Sequence, residues 1–153
     1  MTDRPLVLRH ATAADAEAMT PLFLAARRTA MPWLAALHSD EQTYWWIANV
    51  VLRDCCVQVA ETGDRVVGFA ASRDDWLHHL YVAPEHQGIG VGSRLLDDAK
   101  RRAGAVLQLY AFQRNQRARD FYARRGFVEV VFSDGSGNEE REPDLVMRWT
   151  AVP

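Results

Sequence analysis

Gln87-Gly88-Ile89-Gly90-Val91-Gly92, running on into Ser93-Arg94-Leu95-Leu96, is the stretch on which the reading of this chain turns. It follows the apolar run Leu77 to Val82, broken by Ala83-Pro84. It leads into Gly92 to Ala103, where Leu95, Leu96 and Ala99 recur on one helical face. Glycines between a strand and a helix let the backbone approach a ligand and adopt angles closed to other residues. The unpaired N–H groups of the helix start, together with the helix dipole, favour an anion. The stretch therefore predicts a phosphate or pyrophosphate cradle. A nucleoside-triphosphate loop needs Lys-Ser/Thr after its last glycine, whereas Gly92 is followed by Ser93-Arg94. A dinucleotide fold needs a G-x-G-x-x-G spacing and an acid on the next strand. The spacing here is G-x-G-x-G, and Leu107-Gln108-Leu109-Tyr110 carries no acid.

Working outward, Leu6 to Leu8 reads as a strand, and Thr12 with Asp15 forms a capping-box pattern. Ala16 to Arg28 reads as a helix that Pro21 should kink or split. A loop, Thr29 to His38, precedes a second capping box, Ser39 with Gln42, and a helix carrying Tyr44, Trp45, Trp46, Ile47 and Val50. Cys56 to Ala60 alternates as a strand, Thr62-Gly63-Asp64 is a turn, and Val66 to Ala71 is the partner strand. Val106 to Phe112 is a strand, and Asn115 to Arg125 is a helix stopped by Gly126. Phe127 to Phe132 and Leu145 to Trp149 flank a polar, glycine-containing loop and read as a closing hairpin. The order β-α-α-β-β-β-α-β-α-β-β describes a mixed α+β domain spanning residues 1–153. The first two helices are expected to cover one edge of its sheet.

Two segments together resemble the GNAT superfamily of acyl-CoA-dependent N-acetyltransferases. Leu80 to Leu96 resembles its acetyl-CoA motif, Q/R-x-x-G-x-G/A, through Gln87, Gly90 and Gly92. Asn115 to Phe127 resembles its N-x-x-A-x-x-F-Y-x-x-x-G-F signature, and one strand separates the two segments. The resemblance implies a central twisted, largely antiparallel sheet of six to seven strands with a splayed parallel pair, flanked by four helices. It implies transfer of acetyl from acetyl-CoA to a primary amine by direct attack in a ternary complex. A non-catalytic acyl-CoA-binding module is the alternative.

Residue by residue, the resemblance assigns the pyrophosphate to Gln87, Gly88, Ile89, Gly90, Val91, Gly92 and Ser93. It assigns the pantetheine arm to the Tyr81 and Val82 backbone and to Asn115, which also suits a helix N-cap. It makes Tyr122 the acid toward the departing thiolate, with packing as the rival role. An alkylamine of pKa ~10.4 is neutral in only about one molecule in 2,500 at pH 7, so a base or a water chain must take its proton. Many relatives use a glutamate on the strand before the glycine turn, where this chain has His78 and His79. His78 shares parity with Leu80 and Val82 and is the expected base, a structural histidine being the alternative. For the acceptor, Trp33, His38 and Trp45 are the candidates, because aromatic walls hold ammonium groups. Asp74, Asp75 and the acidic run Asn138 to Asp144 are further sources of negative charge.

Composition limits the partners. With 18 basic and 20 acidic residues the net charge is −2, which offers no basic surplus for nucleic acid. No apolar run is long enough to cross a bilayer and no leader pattern opens the chain, so a cytoplasmic location is expected without membrane attachment. Cys55 and Cys56 are adjacent, too close for an ordinary disulfide, and are read as reduced strand residues. No metal is expected. The length leans toward a small-molecule acceptor, and the resemblance allows two copies to pair through their sheets as a homodimer.

Overall fold

The computed structural model describes residues 4–152; Met1 to Asp3 and Pro153, included in the expected domain, lie outside the described residues. Seven strands form one sheet: β1 (Leu6–His10), β2 (Cys56–Thr62), β3 (Arg65–Arg73), β4 (Trp76–Val82), β5 (Val106–Phe112), β6 (Val128–Ser133) and β7 (Asp144–Thr150). Their spatial order is β1-β2-β3-β4-β5-β7-β6, and every pairing is antiparallel except β4 with β5. The last strand thus inserts between β5 and β6 and closes a hairpin from inside the sheet. The mixed architecture, the strand number and the parallel pair agree with expectation.

Four helices flank the sheet. They are α1 (Ala16–Ala30), α2 (Asp40–Trp46, continued by a π-helical turn Ile47–Val51 and Leu52–Asp54), α3 (Val91–Ala103) and α4 (Gln116–Ala123). Both capping boxes form: Asp15 accepts from Thr12 N–H at 2.7 Å, and Ser39 and Gln42 exchange bonds of 2.9 and 3.0 Å. Of the two expected effects of Pro21, a split is excluded, because α1 runs unbroken through it. Pro21 and Glu17, whose carbonyl loses its partner, are both exposed, so water can satisfy that carbonyl. Cys55 also departs from expectation, ending the helical turn rather than joining β2.

The first two helices cover a face of the sheet, not an edge. Met19, Leu22 and Phe23 of α1, with Ile47 and Val51, bury against Val57, Val59, Phe69 and Ala71 of the central strands. A flat apolar strand face offers these side chains far more contact than a sheet edge. On the opposite face, Val91, Leu95, Leu96 and Ala99 of α3 pack on Val67, Leu77, Leu107, Leu109 and Met147. An ion cluster ties the ends together: Arg9 reaches Asp15 at 2.9 Å and Glu61 at 3.0 Å, and holds the Asp15 carboxyl below the usual range.

Gly68 of β3 sets how closely α3 lies on the sheet. A Cβ there would meet Val91 Cγ1 at 3.0 Å, Leu95 Cδ1 at 3.1 Å and the Tyr81 carbonyl at 3.1 Å. Gly68→Ala is expected to lower stability by about 1–3 kcal/mol through overpacking. Urea unfolding would read this as a lower midpoint, and an unchanged midpoint would mean that α3 lifts without cost.

Candidate functional site

The site begins where β4 and β5 separate. Only one residue pair, Trp76 with Gln108, stands in parallel register. It is pinned by Gln108 N–H donating to Asp75 C=O at 2.7 Å and Gln108 Nε2 donating to Asp75 Oδ2 at 3.0 Å. Trp76 stacks on Tyr110 beside it, with ring centroids 4.8 Å apart. Beyond this pin a cavity of about 670 Å³ opens between the strands, lined among others by His78, His79, Tyr81, Tyr110, Asn115 and Tyr122. Asp75 therefore closes the narrow end of the gap and is spent on β5. Exposed Asp74 forms the turn before it, with φ 56°.

The backbone of β4 supplies donors to that gap. Ala83 N–H donates to Val67 C=O, so by two-residue alternation Tyr81 also turns its peptide groups toward β3. Leu80 and Val82 turn theirs toward the gap, and the Val82 carbonyl is taken by Gln87 Nε2 at 3.1 Å. Tyr81 thus offers its side chain rather than the backbone expected of it, because its amide belongs to the β3 ladder. A β-bulge accompanies this arrangement. Ala71 faces His79 and Ser72 faces Leu77, which leaves His78 as the extra residue. Strict alternation, the basis of the parity argument for His78, fails there. His78 is exposed at the gap, and burial and Arg73 lower its pKa. His79 packs among Trp46, Phe23 and Tyr81. Burial first, then His78 and Arg27, push its pKa down to about 4.

A second cavity, about 770 Å³, runs from Tyr81 and Val82 across the glycine turn to α4. Gly90 has φ 91°, and a Cβ on it would meet nothing within 4 Å, so the turn is shaped by backbone and its mouth is open. Arg94 N–H makes the first bond of α3, to Gly90 C=O at 3.1 Å, leaving the amides of Val91, Gly92 and Ser93 unspent at the helix start. Gln87, Gly88, Gly90, Gly92 and Ser93 line this cavity. Two predicted residues contribute no side chain to it: Val91 is buried in the core, and Ile89 points to solvent. Arg117, Arg124 and Arg125 line it as well. Sequence reasoning passed over them, although positions 117 and 124 are seven apart and so share a helical face. Arg125 donates to Ser93 Oγ at 2.7 and 3.1 Å and stacks on Phe121, fastening α4 to the start of α3.

Asn115 caps α4, its Oδ1 accepting from Ala118 N–H at 3.2 Å, and it also borders both cavities. Tyr122 sits in the wall common to them. Burial, reinforced by Tyr81, raises its phenol pKa well above the usual value, so it keeps its proton.

A third chamber, about 580 Å³, lies between α1, the loop after it, α2 and the β6–β7 loop. His38 and Trp45 line it, together with Trp46, His79, Arg27 and Glu140; Trp33 does not. Trp33 instead packs edge-on to Phe112 under the Arg114 guanidinium, 4.3 Å away, and anchors the loop to β5. From the acidic run, Glu139 and Glu140 reach the chamber, and Glu139 meets His38 Nε2 at 2.6 Å. His79 and Glu140 belong to both this chamber and the gap, and Met31 borders all three cavities. The three spaces therefore adjoin one another, and the gap shares wall residues with both of the others. Among the described residues no cluster of side chains suits a metal ion, and no helix is long and apolar enough to cross a membrane.

Comparison with known proteins agrees with this geometry. The family model of the acetyltransferase (GNAT) domain matches residues 53–129. An uncharacterized N-acetyltransferase of Archaeoglobus fulgidus is 35% identical over 98 residues, covering 54% of this chain and 66% of that protein, just under two thirds of its length. The peptidyl-lysine N-acetyltransferase YiaC of Escherichia coli is 26% identical over 95% of this chain and 98% of its own. In three dimensions the apo form of YjaB from Escherichia coli superposes with a TM-score of 0.81 at 20% identity, over 97% of this chain and 99% of that one.

The buried imidazole of His79 carries a consequence for stability. Its folded pKa lies below the ordinary 6.5, so between those values the unfolded chain binds more protons. Stability should fall as pH drops from 6.5 toward 4, by up to roughly 3 kcal/mol. His79→Phe is expected to flatten the melting temperature across that window. An equal slope in both proteins would show that other groups carry it.

Proposed function

The chain belongs to the GNAT acetyltransferase family, and from that premise we propose that it transfers acetyl from acetyl-CoA to the primary amine of a small molecule, by direct attack in a ternary complex. The observation that carries this reading is that the glycine-turn cavity and the third chamber both adjoin a gap bordered by Tyr81, Tyr122 and His78. Acetyl-CoA supplies an activated thioester, and the open cradle fits its pyrophosphate. Amides from Val91 to Ser93 face that anion, while Arg117 and Arg124 add positive charge. The residues of β4 that turn to the gap, Leu80 and Val82, hold the pantetheine arm and offer an N–H to the acetyl oxygen as charge grows on it.

Tyr122, protonated throughout the neutral range, donates to the sulfur as it departs. His78 accepts the amine proton directly or through water; its lowered pKa leaves the imidazole neutral at pH 7. The acceptor enters by the third chamber, whose limited volume supports a small molecule. The likeness to a peptidyl-lysine enzyme makes a protein lysine the competing acceptor.

Titration calorimetry with acetyl-CoA, ATP and NAD tests the cofactor: micromolar binding of acetyl-CoA alone is expected, and equal binding of ATP would refute the cradle. Gly90→Val forces a β-branched residue to φ 91° and is expected to weaken acetyl-CoA binding more than tenfold. Tyr122→Phe should lower kcat about 100-fold or more with little change in acetyl-CoA affinity. In the wild type, no alkaline loss of rate from Tyr122 is expected below pH 10, because its pKa is raised. An unaltered rate in Tyr122→Phe would favour another donor, or a module that binds acyl-CoA without catalysis.

A further inference from the structure

We propose that the acceptor is an amine carrying its own carboxylate, an amino acid with an apolar side chain, and that Arg27 recognises the carboxylate. This rests on the acetyl-transfer reading above and names the substrate class of the same site.

Arg27 is the cation on the inner wall of the acceptor chamber, its side chain only 23% exposed. Its known contacts are weak. Nη1 donates to Tyr81 Oη at 3.3 Å and Nη2 donates to Glu140 Oε1 at 3.4 Å, both longer than the usual N–H···O range of about 2.7–3.2 Å. Three of its five N–H donors make no hydrogen bond among the described residues. The guanidinium also lies over the Phe23 ring, at 5.3 Å. A half-buried guanidinium with donors to spare suits a carboxylate, which it can grip through two bonds.

The other charges in the chamber give the ligand a direction. Arg28 is exposed and paired with Asp40, and Glu139 is paired with His38. Glu140, 19% exposed, has among the described residues only its long contact with Arg27. It borders both the chamber and the gap, whereas Arg27 borders the chamber alone. A zwitterion laid along this pair puts its ammonium beside Glu140, at the gap where acetyl must be delivered. Its carboxylate stays behind on Arg27. Beside the polar Gln42 and Thr43, most of the remaining wall is apolar, including Phe23, Leu24, Leu34, Trp45 and Trp46, and favours an apolar side chain. An amine without an anion, such as a polyamine, leaves Arg27 facing a second positive charge.

The test measures thiol release from acetyl-CoA with L-leucine and L-phenylalanine, their C-terminal amides, spermidine and a lysine-containing peptide. The wild-type kcat/KM for the free acids is expected to exceed that for the amides at least tenfold. Arg27→Gln should lower kcat/KM for the acids about 10- to 100-fold through KM, and change the amides less than threefold. Arg27→Lys should recover part of the loss. Equal use of acids and amides by the wild type overturns the proposal. So does an equal loss on both in Arg27→Gln, which would make Arg27 a support for Tyr81. Turnover of spermidine or the peptide alone overturns it while leaving the acetyl-transfer reading intact. No thiol release with any amine, together with no binding of acetyl-CoA, removes that reading itself.

Discussion

The site depends on the single point at which β4 and β5 touch. Asp75 clamps Gln108 through main chain and side chain, and the Trp76–Tyr110 stack weighs on the same spot. Past that point each strand is held by its other neighbour, β4 by β3 and β5 by β7. Strand twist then carries the two apart. The opening leaves the Leu80 peptide groups and the Val82 N–H without a strand partner, while the Val82 carbonyl is taken by Gln87. Those free peptide groups give the gap hydrogen-bonding capacity as well as shape.

Around the gap, burial sets the protonation of each group. Tyr122 and His79 are both held neutral, the phenol by a raised pKa and the imidazole by a lowered one, because desolvation disfavours either charged form. Arginines stand along the glycine turn, and the Arg27–Glu140 pair stands in the third chamber, with Glu140 also bordering the gap. The bulge at His78 is a local irregularity at the gap, and it breaks the alternation that would otherwise set where His78 and His79 point.

The third chamber is assembled from segments far apart in sequence. His38 and Glu139 meet across 101 residues and Arg27 and Glu140 across 113. Arg114 joins both loops to the sheet, stacking on Trp33 and pairing with Glu142 at 3.2 Å. The β6–β7 loop is drawn tight by Asn138, which donates to the Glu142 carbonyl at 2.7 Å and so presents Glu139 and Glu140. Trp33 therefore stays out of the chamber and fixes the loop that lines it.

The element order, both capping boxes and the glycine turn were legible in the sequence because each depends on backbone conformation and periodicity within about twenty residues. Gly90 needs its positive φ, and Leu95, Leu96 and Ala99 share a face, whatever else the chain does. The tertiary structure alone decided that Tyr81 offers its side chain instead of its amide, that His78 sits in a bulge, and that Arg27 and Glu140 lie opposite each other. It also decided that α1 and α2 cover a face of the sheet and that β7 enters between β5 and β6. These follow from ladder register and from contacts across a hundred residues, which no local periodicity encodes.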